Sequence, residues 1–148
     1  SGTLNVPGIV GFGKAAELCL HEMEEEGKRL NTLRDSLENA LLQTQSTLVN
    51  GSREYRLPHV TNIAFQYAEG EALMMGSNKD IAVASGSACT SASIEPSYVL
   101  KALGLEDELA RSSLRFSLGR FTTEEEIDYA VEKVTEMVKK LRSENIKL

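Results

Sequence analysis

Cys89 stands at the centre of Ser85-Gly86-Ser87-Ala88-Cys89-Thr90-Ser91-Ala92-Ser93, nine consecutive residues no larger than threonine. A packed core gains little from such side chains, and neither a regular helix nor a regular strand selects them. Gly/Ser-rich chain is flexible and exposed, so the sequence predicts a mobile loop between a strand and a helix. A free cysteine is ordinarily a small buried hydrophobe, but the apolar neighbours that burial needs are absent around Cys89. The chemistry open to such a thiol is nucleophilic, with the thiolate as the attacking species. No His or Lys adjoins Cys89, so an activating base must come from elsewhere. Arg115 is the second candidate. It lies inside the alternating segment Leu114-Arg115-Phe116, where a permanent charge needs a partner. A salt bridge to one of the chain's carboxylates and a fork for a substrate carboxylate both remain open; the fork is a geometry that Arg provides and Lys does not.

Other reactive residue types carry blander expectations. Cys19 falls on an apolar helical stripe and is expected to be packed there. Two cysteines 70 residues apart exclude a disulfide framework and a Cys-based zinc ribbon. His21 and His59 lack partners at ligand spacing and read as structural or surface residues, so no metal is expected. Arg120, in Leu118-Gly119-Arg120-Phe121, is expected to hold the turn into the last helix.

The elements that position these residues alternate in type. Ile9, Phe12, Ala16, Cys19 and Met23 share one helical face, and after Gly27 the stripe resumes at Leu30, Leu33, Leu37 and Leu41. A continuous helix over 8–42 would be ~50 Å long, beyond the span of a small domain. It must bend, near Gly27, or project towards something outside the domain. Glu22, Glu24, Glu25 and Glu26 read as its solvated face. Strands are expected at Thr47-Leu48-Val49 before the Asn50-Gly51 turn, and at Ile81-Ala82-Val83-Ala84. A third strand starts at Thr61, with Ile63, Phe65 and Tyr67 on one face and Asn62, Ala64 and Gln66 on the other. Leu114 to Leu118 is the last strand. Glu69 to Met75 reads as a short helix stopped by Gly76-Ser77-Asn78. Pro96 suits the first turn of a helix carrying Tyr98, Val99, Leu100 and Leu103. Thr122 and Thr123 ahead of Glu125 and Glu126 give two overlapping capping boxes. They open a final helix buried along Ile127, Ala130, Val131, Val134, Met137, Val138 and Leu141. The fold class expected is α+β, a small and mostly antiparallel sheet covered by helices.

Composition narrows the function classes. The 148 residues suit one domain, and 41% hydrophobic with 26% charged residues is an ordinary globular balance. A net charge of −6 argues against binding nucleic acid, which needs clustered Lys and Arg. No apolar run approaches the ~20 residues of a membrane span and no signal peptide opens the chain, so a cytoplasmic protein without membrane contact is expected.

The segment from Ser85 to Ser93, continued by Glu95-Pro96-Ser97-Tyr98-Val99-Leu100, resembles the active-site loop of NifS/IscS-type cysteine desulfurases of aminotransferase class V. Ser112-Ser113-Leu114-Arg115-Phe116-Ser117-Leu118-Gly119-Arg120-Phe121-Thr122 is similar to the family's next block. Ser1-Gly2-Thr3 matches a third, where the large domain gives way to the small one. The resemblance implies the C-terminal domain of the aspartate-aminotransferase (type I pyridoxal-phosphate) fold, in a homodimeric, pyridoxal-phosphate-dependent enzyme. Such enzymes convert L-cysteine to L-alanine and pass the sulfur, as a persulfide, to iron–sulfur scaffold proteins or tRNA-thiolation enzymes. On this resemblance Cys89 is the persulfide-bearing nucleophile and Arg115 binds the substrate carboxylate. Thr3 is the threonine that reaches the cofactor phosphate of the neighbouring subunit. Residues 1–22 would be the end of the large domain with the connecting helix, and 23–148 the small domain with its catalytic loop at 85–95.

The departures bear equally on function. The family's Schiff-base lysine follows a histidine, and neither His21 nor His59 is followed by Lys. The isolated chain is therefore expected to be inactive, its lysine lying upstream. Gly76-Ser77-Asn78-Lys79-Asp80 is more polar and one residue longer than the family segment. The chain stops at Leu148 without the C-terminal extension that some members use to dock the scaffold. A cofactor-free sulfur-relay module and a non-catalytic interaction or oligomerisation domain are the alternative readings.

Overall fold

The computed structural model describes residues 2–85 and 96–145. Cys89 and the remainder of 86–95 lie outside the described residues, as does the loop expected there. The first element is a single helix, α1 (Val6–Leu41). It starts where the Asn5 side chain accepts from the Gly8 amide at 3.2 Å, with Pro7 in the first turn. The 36 residues run on through Gly27 and span roughly 54 Å. Of the two expected outcomes, bending or projection, it projects. Burial begins only at Leu30 and continues through Leu33, Leu37 and Leu41. Ile9, Phe12, Leu20 and Met23 are exposed, and Cys19 is exposed with them, contrary to the packed position expected for it. The stripe was read correctly as a helical face, but the described residues supply nothing for that half of it to pack on.

The sheet has four strands, β1 (Thr47–Val49), β2 (Val60–Phe65), β3 (Ala84–Ser85) and β4 (Ser113–Ser117), in the order β1-β2-β4-β3. All neighbours are antiparallel. Alternation assigns Ile63, Phe65, Leu114 and Phe116 to one face, where they join Leu33, Leu37 and Leu41 of α1 in the core. The last helix, α5 (Glu124–Asn145), adds Ile127, Val134 and Val138 to that core. A shorter helix, α2 (Gly70–Ser77), adds Leu73. On the opposite face, α4 (Asp107–Arg111) lies against β2, and both Ala110 and Ala64 are buried. The five-residue helix α3 (Tyr98–Ala102) precedes it. The fold is α+β, as expected.

Three local expectations need correction. The strand expected at 81–84 is reduced to Ala84–Ser85, because the amides of both Asp80 and Ile81 still donate to the Ser77 carbonyl, each at 2.9 Å. Ile81 and Val83 pack against the core from this turn instead. Tyr67 is exposed at φ 64°, since β2 ends at Phe65. Helix α2 continues through Gly76, where an added Cβ would come within 2.5 Å of Met137 Cε. The sequence also gave no warning of α4, whose five residues are too few to display a period.

Three arginines tie α1 and α5 to the loops. Arg29 donates to the carbonyls of Thr122 at 2.8 Å and Arg120 at 2.6 Å. Arg120 pairs with Glu22 and Glu26 of α1, bracing the turn into α5 as expected of it. Glu22 and Glu26 are thus bracing partners rather than a purely solvated face. At the other end Arg142 donates to the carbonyls of Gln45, Ser46 and Gln66. One of the two expected capping boxes forms: the Glu126 amide donates to Thr123 Oγ1 and the Thr123 amide to Glu126 Oε2.

Candidate functional site

The face of the sheet turned away from α1 and α5 carries Asn62, Ser113, Arg115 and Ser117, with Ala84 at its edge. Arg115 is exposed there, between Asn62 of β2 and Ala84 of β3. No hydrogen bond or ion pair reaches it among the described residues, so the salt-bridge reading finds no carboxylate there. Ser85, the last residue of β3, pairs with Leu114. The chain therefore enters segment 86–95 one register step from Arg115, and four extended residues span at most ~14 Å from Ser85 to Cys89. The described chain resumes at Pro96, and Ser97 and Leu100 just beyond it are both buried.

A hydrogen-bonded cluster, absent from the sequence reading, backs this face. The Asn50 side-chain amide donates to Asn62 Oδ1 at 2.6 Å and to Ser113 Oγ at 2.9 Å. Ser113 Oγ in turn donates to the Leu109 carbonyl at 2.7 Å, and the Asn50 backbone amide donates to the Asn62 carbonyl at 2.8 Å. Alternation placed Asn62 and Arg115 each on a polar face. Only the strand register makes them neighbours, and register is a long-range property that one strand's pattern does not encode.

Thr3 is not brought to this face. It is exposed and precedes α1, whose axis runs roughly 36 Å from Val6 to the first buried turn at Leu30. His21 and His59 do not adjoin Arg115 in the sheet register, and His59 offers its carbonyl to the Leu118 amide. Among the described residues no group of three His, Cys, Asp or Glu side chains is placed to hold a metal ion. No helix among them is long and apolar enough to cross a membrane.

The aminotransferase class-V family model matches residues 1–130. The chain belongs to the class-V aminotransferase family. It is 62% identical over 142 residues to the cysteine desulfurase IscS of Pasteurella multocida (strain Pm70), covering 96% of this chain and 35% of that protein. The IscS of Anaeromyxobacter dehalogenans (strain 2CP-C) is 60% identical over 143 residues, with the same coverage. Among solved structures, a NifS-like protein superposes with a TM-score of 0.80 at 31% identity, covering 94% of this chain and 35% of that one. The NifS-like protein from Rickettsia africae ESF-5 gives 0.80 at 30% identity, over 93% and 36%. The chain thus spans about a third of the length of the curated relatives it matches.

Class-V aminotransferases are pyridoxal-phosphate-dependent. By themselves the described residues of this class-V chain do not form a pocket for that cofactor. None of its lysines lies on a strand of the sheet beside Arg115, and Thr3 stands exposed beyond the far end of α1. What this face offers among the described residues is a guanidinium, Arg115, that none of them pairs with.

Proposed function

We propose that this chain is the sulfur-receiving part of a cysteine desulfurase, comprising the end of the large domain and connecting helix at 1–22 and the small domain at 23–148. Arg115, which no described residue pairs with and which lies beside the strand preceding the Cys89 segment, is the observation that carries this reading. Arg115 grips the carboxylate of L-cysteine and presents the substrate sulfur towards Cys89. The Cys89 thiolate attacks that sulfur: an S–S bond forms, the C–S bond breaks, and the carbon keeps the electron pair. Protonation of that carbon gives L-alanine, and Cys89 is left as a persulfide for an iron–sulfur scaffold or another acceptor protein. Thr3, remote from Arg115 in its own chain, serves the cofactor phosphate of the second subunit of a homodimer. The Schiff-base lysine lies in the part of the enzyme outside this chain, so the isolated chain does not turn over cysteine.

In the full-length enzyme, Arg115→Ala is expected to raise KM for L-cysteine at least tenfold, because a hydrogen-bonded charge contributes about 1.5–3 kcal/mol. Cys89→Ser should leave cysteine binding intact and abolish both alanine release and the persulfide mass on the protein. Alanine production by this chain alone, given pyridoxal phosphate and cysteine, would refute the division of labour.

A further inference from the structure

We propose that Asn62 is a second anchor for the substrate carboxylate, acting beside Arg115; this rests on the desulfurase reading and deepens it. The ladder between β2 and β4 sets the geometry. The Leu118 amide donates to the His59 carbonyl and the Phe65 amide to the Ser112 carbonyl. With the register Thr61↔Phe116, Asn62↔Arg115 and Ile63↔Leu114, the odd-numbered residues of β2 sit in hydrogen-bonded pairs. Asn62 and Arg115 are therefore a non-hydrogen-bonded pair, the type whose Cα atoms approach to roughly 4.5 Å and whose side chains stand closest.

The orientation of the Asn62 amide is set by its neighbours. The Ser113 hydroxyl is committed as a donor to Leu109, so its oxygen accepts from Asn50. Asn50 Nδ2 then has its second hydrogen for Asn62, and it approaches Oδ1 at 2.6 Å. A flipped Asn62 would set nitrogen against nitrogen at that distance. Oδ1 is thus turned inward and Nδ2, with two N–H donors, is left over. No described residue accepts from Asn62 Nδ2, and none accepts from Arg115. A guanidinium and a carboxamide side by side, both without an acceptor among the described residues, match one ligand chemistry: a planar anion with two oxygens.

The arrangement divides the work. Arg115 supplies the charge and takes one edge of the carboxylate, while Asn62 adds a neutral donor whose position is held by Asn50. An amide held in this way penalises any substrate that lacks the carboxylate, because its N–H groups would face the bound molecule unpaired.

The test uses the full-length enzyme and equilibrium binding of L-alanine against L-alaninamide, which lacks the carboxylate. Calorimetry serves as the readout, with KM and kcat for L-cysteine measured alongside. Asn62→Asp keeps the shape and the bond from Asn50 but replaces the outward donor with a charged acceptor. It is expected to weaken L-alanine at least tenfold and leave L-alaninamide unweakened, with KM rising and kcat little changed. Asn62→Ser, which lacks the outward amide, should weaken L-alanine in the same sense and decides the matter should the Asp variant fail to fold. Unchanged L-alanine binding in a folded Asn62 variant, with loss in Arg115→Ala, would overturn the role of Asn62 and leave the desulfurase reading standing. Unchanged binding in the Arg115 and Asn62 variants alike would overturn both.

Discussion

Glu38 follows Leu37 on α1 and is wholly buried, although nothing in the stripe of leucines marks it out. It receives Arg56 Nη1 at 2.5 Å, Thr61 Oγ1 at 2.7 Å and Arg53 Nη2 at 2.7 Å. Burial pushes the carboxyl up, but the hydrogen bonds from Arg56 and Thr61 and the charges of Arg56 and Arg53 outweigh it and hold the group below the ordinary carboxylate range. A depressed folded value means that the stabilisation is complete above the unfolded value of roughly 4.3 and is lost as pH falls through the folded one. Glu38→Gln should therefore lower stability near neutrality and flatten its fall below about pH 4. Urea unfolding followed by circular dichroism from pH 7 to pH 3 checks both, and a parallel acid profile would refute the assignment. The partners Arg53 and Arg56 come from a connection with no period. A sequence reading that works through periods sees the leucines of α1 and passes over the carboxylate that ties the loop to them.

At the scale of elements, legibility follows the length of the repeat. β2 and β4 were readable because Ile63, Phe65, Leu114 and Phe116 alternate with small or polar residues, and α5 because its stripe runs for several turns behind a capping box. β3 has two described residues and α4 has five, too few for either signal. Helix α1 was readable as a helix, but its division into a packed and an unpacked half was not, because both carry the same apolar spacing. That division has a measurable consequence. In the isolated chain, amides over 8–20 should exchange with solvent with little protection, while those over 33–41 should be protected close to the global limit. Hydrogen exchange read by mass spectrometry on peptides from the two halves checks this, and equal protection would contradict it.

For the whole molecule, the apolar residues of the outer half of α1 dominate. Val6, Ile9, Val10, Phe12, Leu20 and Met23 are each more than half exposed, a patch that a stable monomer rarely carries. Sedimentation velocity on this chain alone should show association that grows with concentration, and Ile9→Ser with Phe12→Ser should reduce it. A concentration-independent monomer would count against the patch. At this scale the candidate site was half legible: composition alone singled out Cys89, and alternation singled out Arg115. The pairing of Arg115 with Asn62, and the distance that separates Thr3 from both, arise only when strands and helix are assembled. That distance gives α1 the mechanics of a cantilever. Its root is the leucine-packed end, and Arg120, gripping Glu22 and Glu26, acts as a strut partway along the beam. With the strut in place the free arm from Glu22 to Val6 is roughly 24 Å, against roughly 36 Å from Leu30 without it. Tip deflection under a given load grows with the cube of the free length, so cutting one ion-pair cluster would make the tip about three times more compliant. The stiffness of the helix tip next to Thr3 would thus be set by a contact far from that tip.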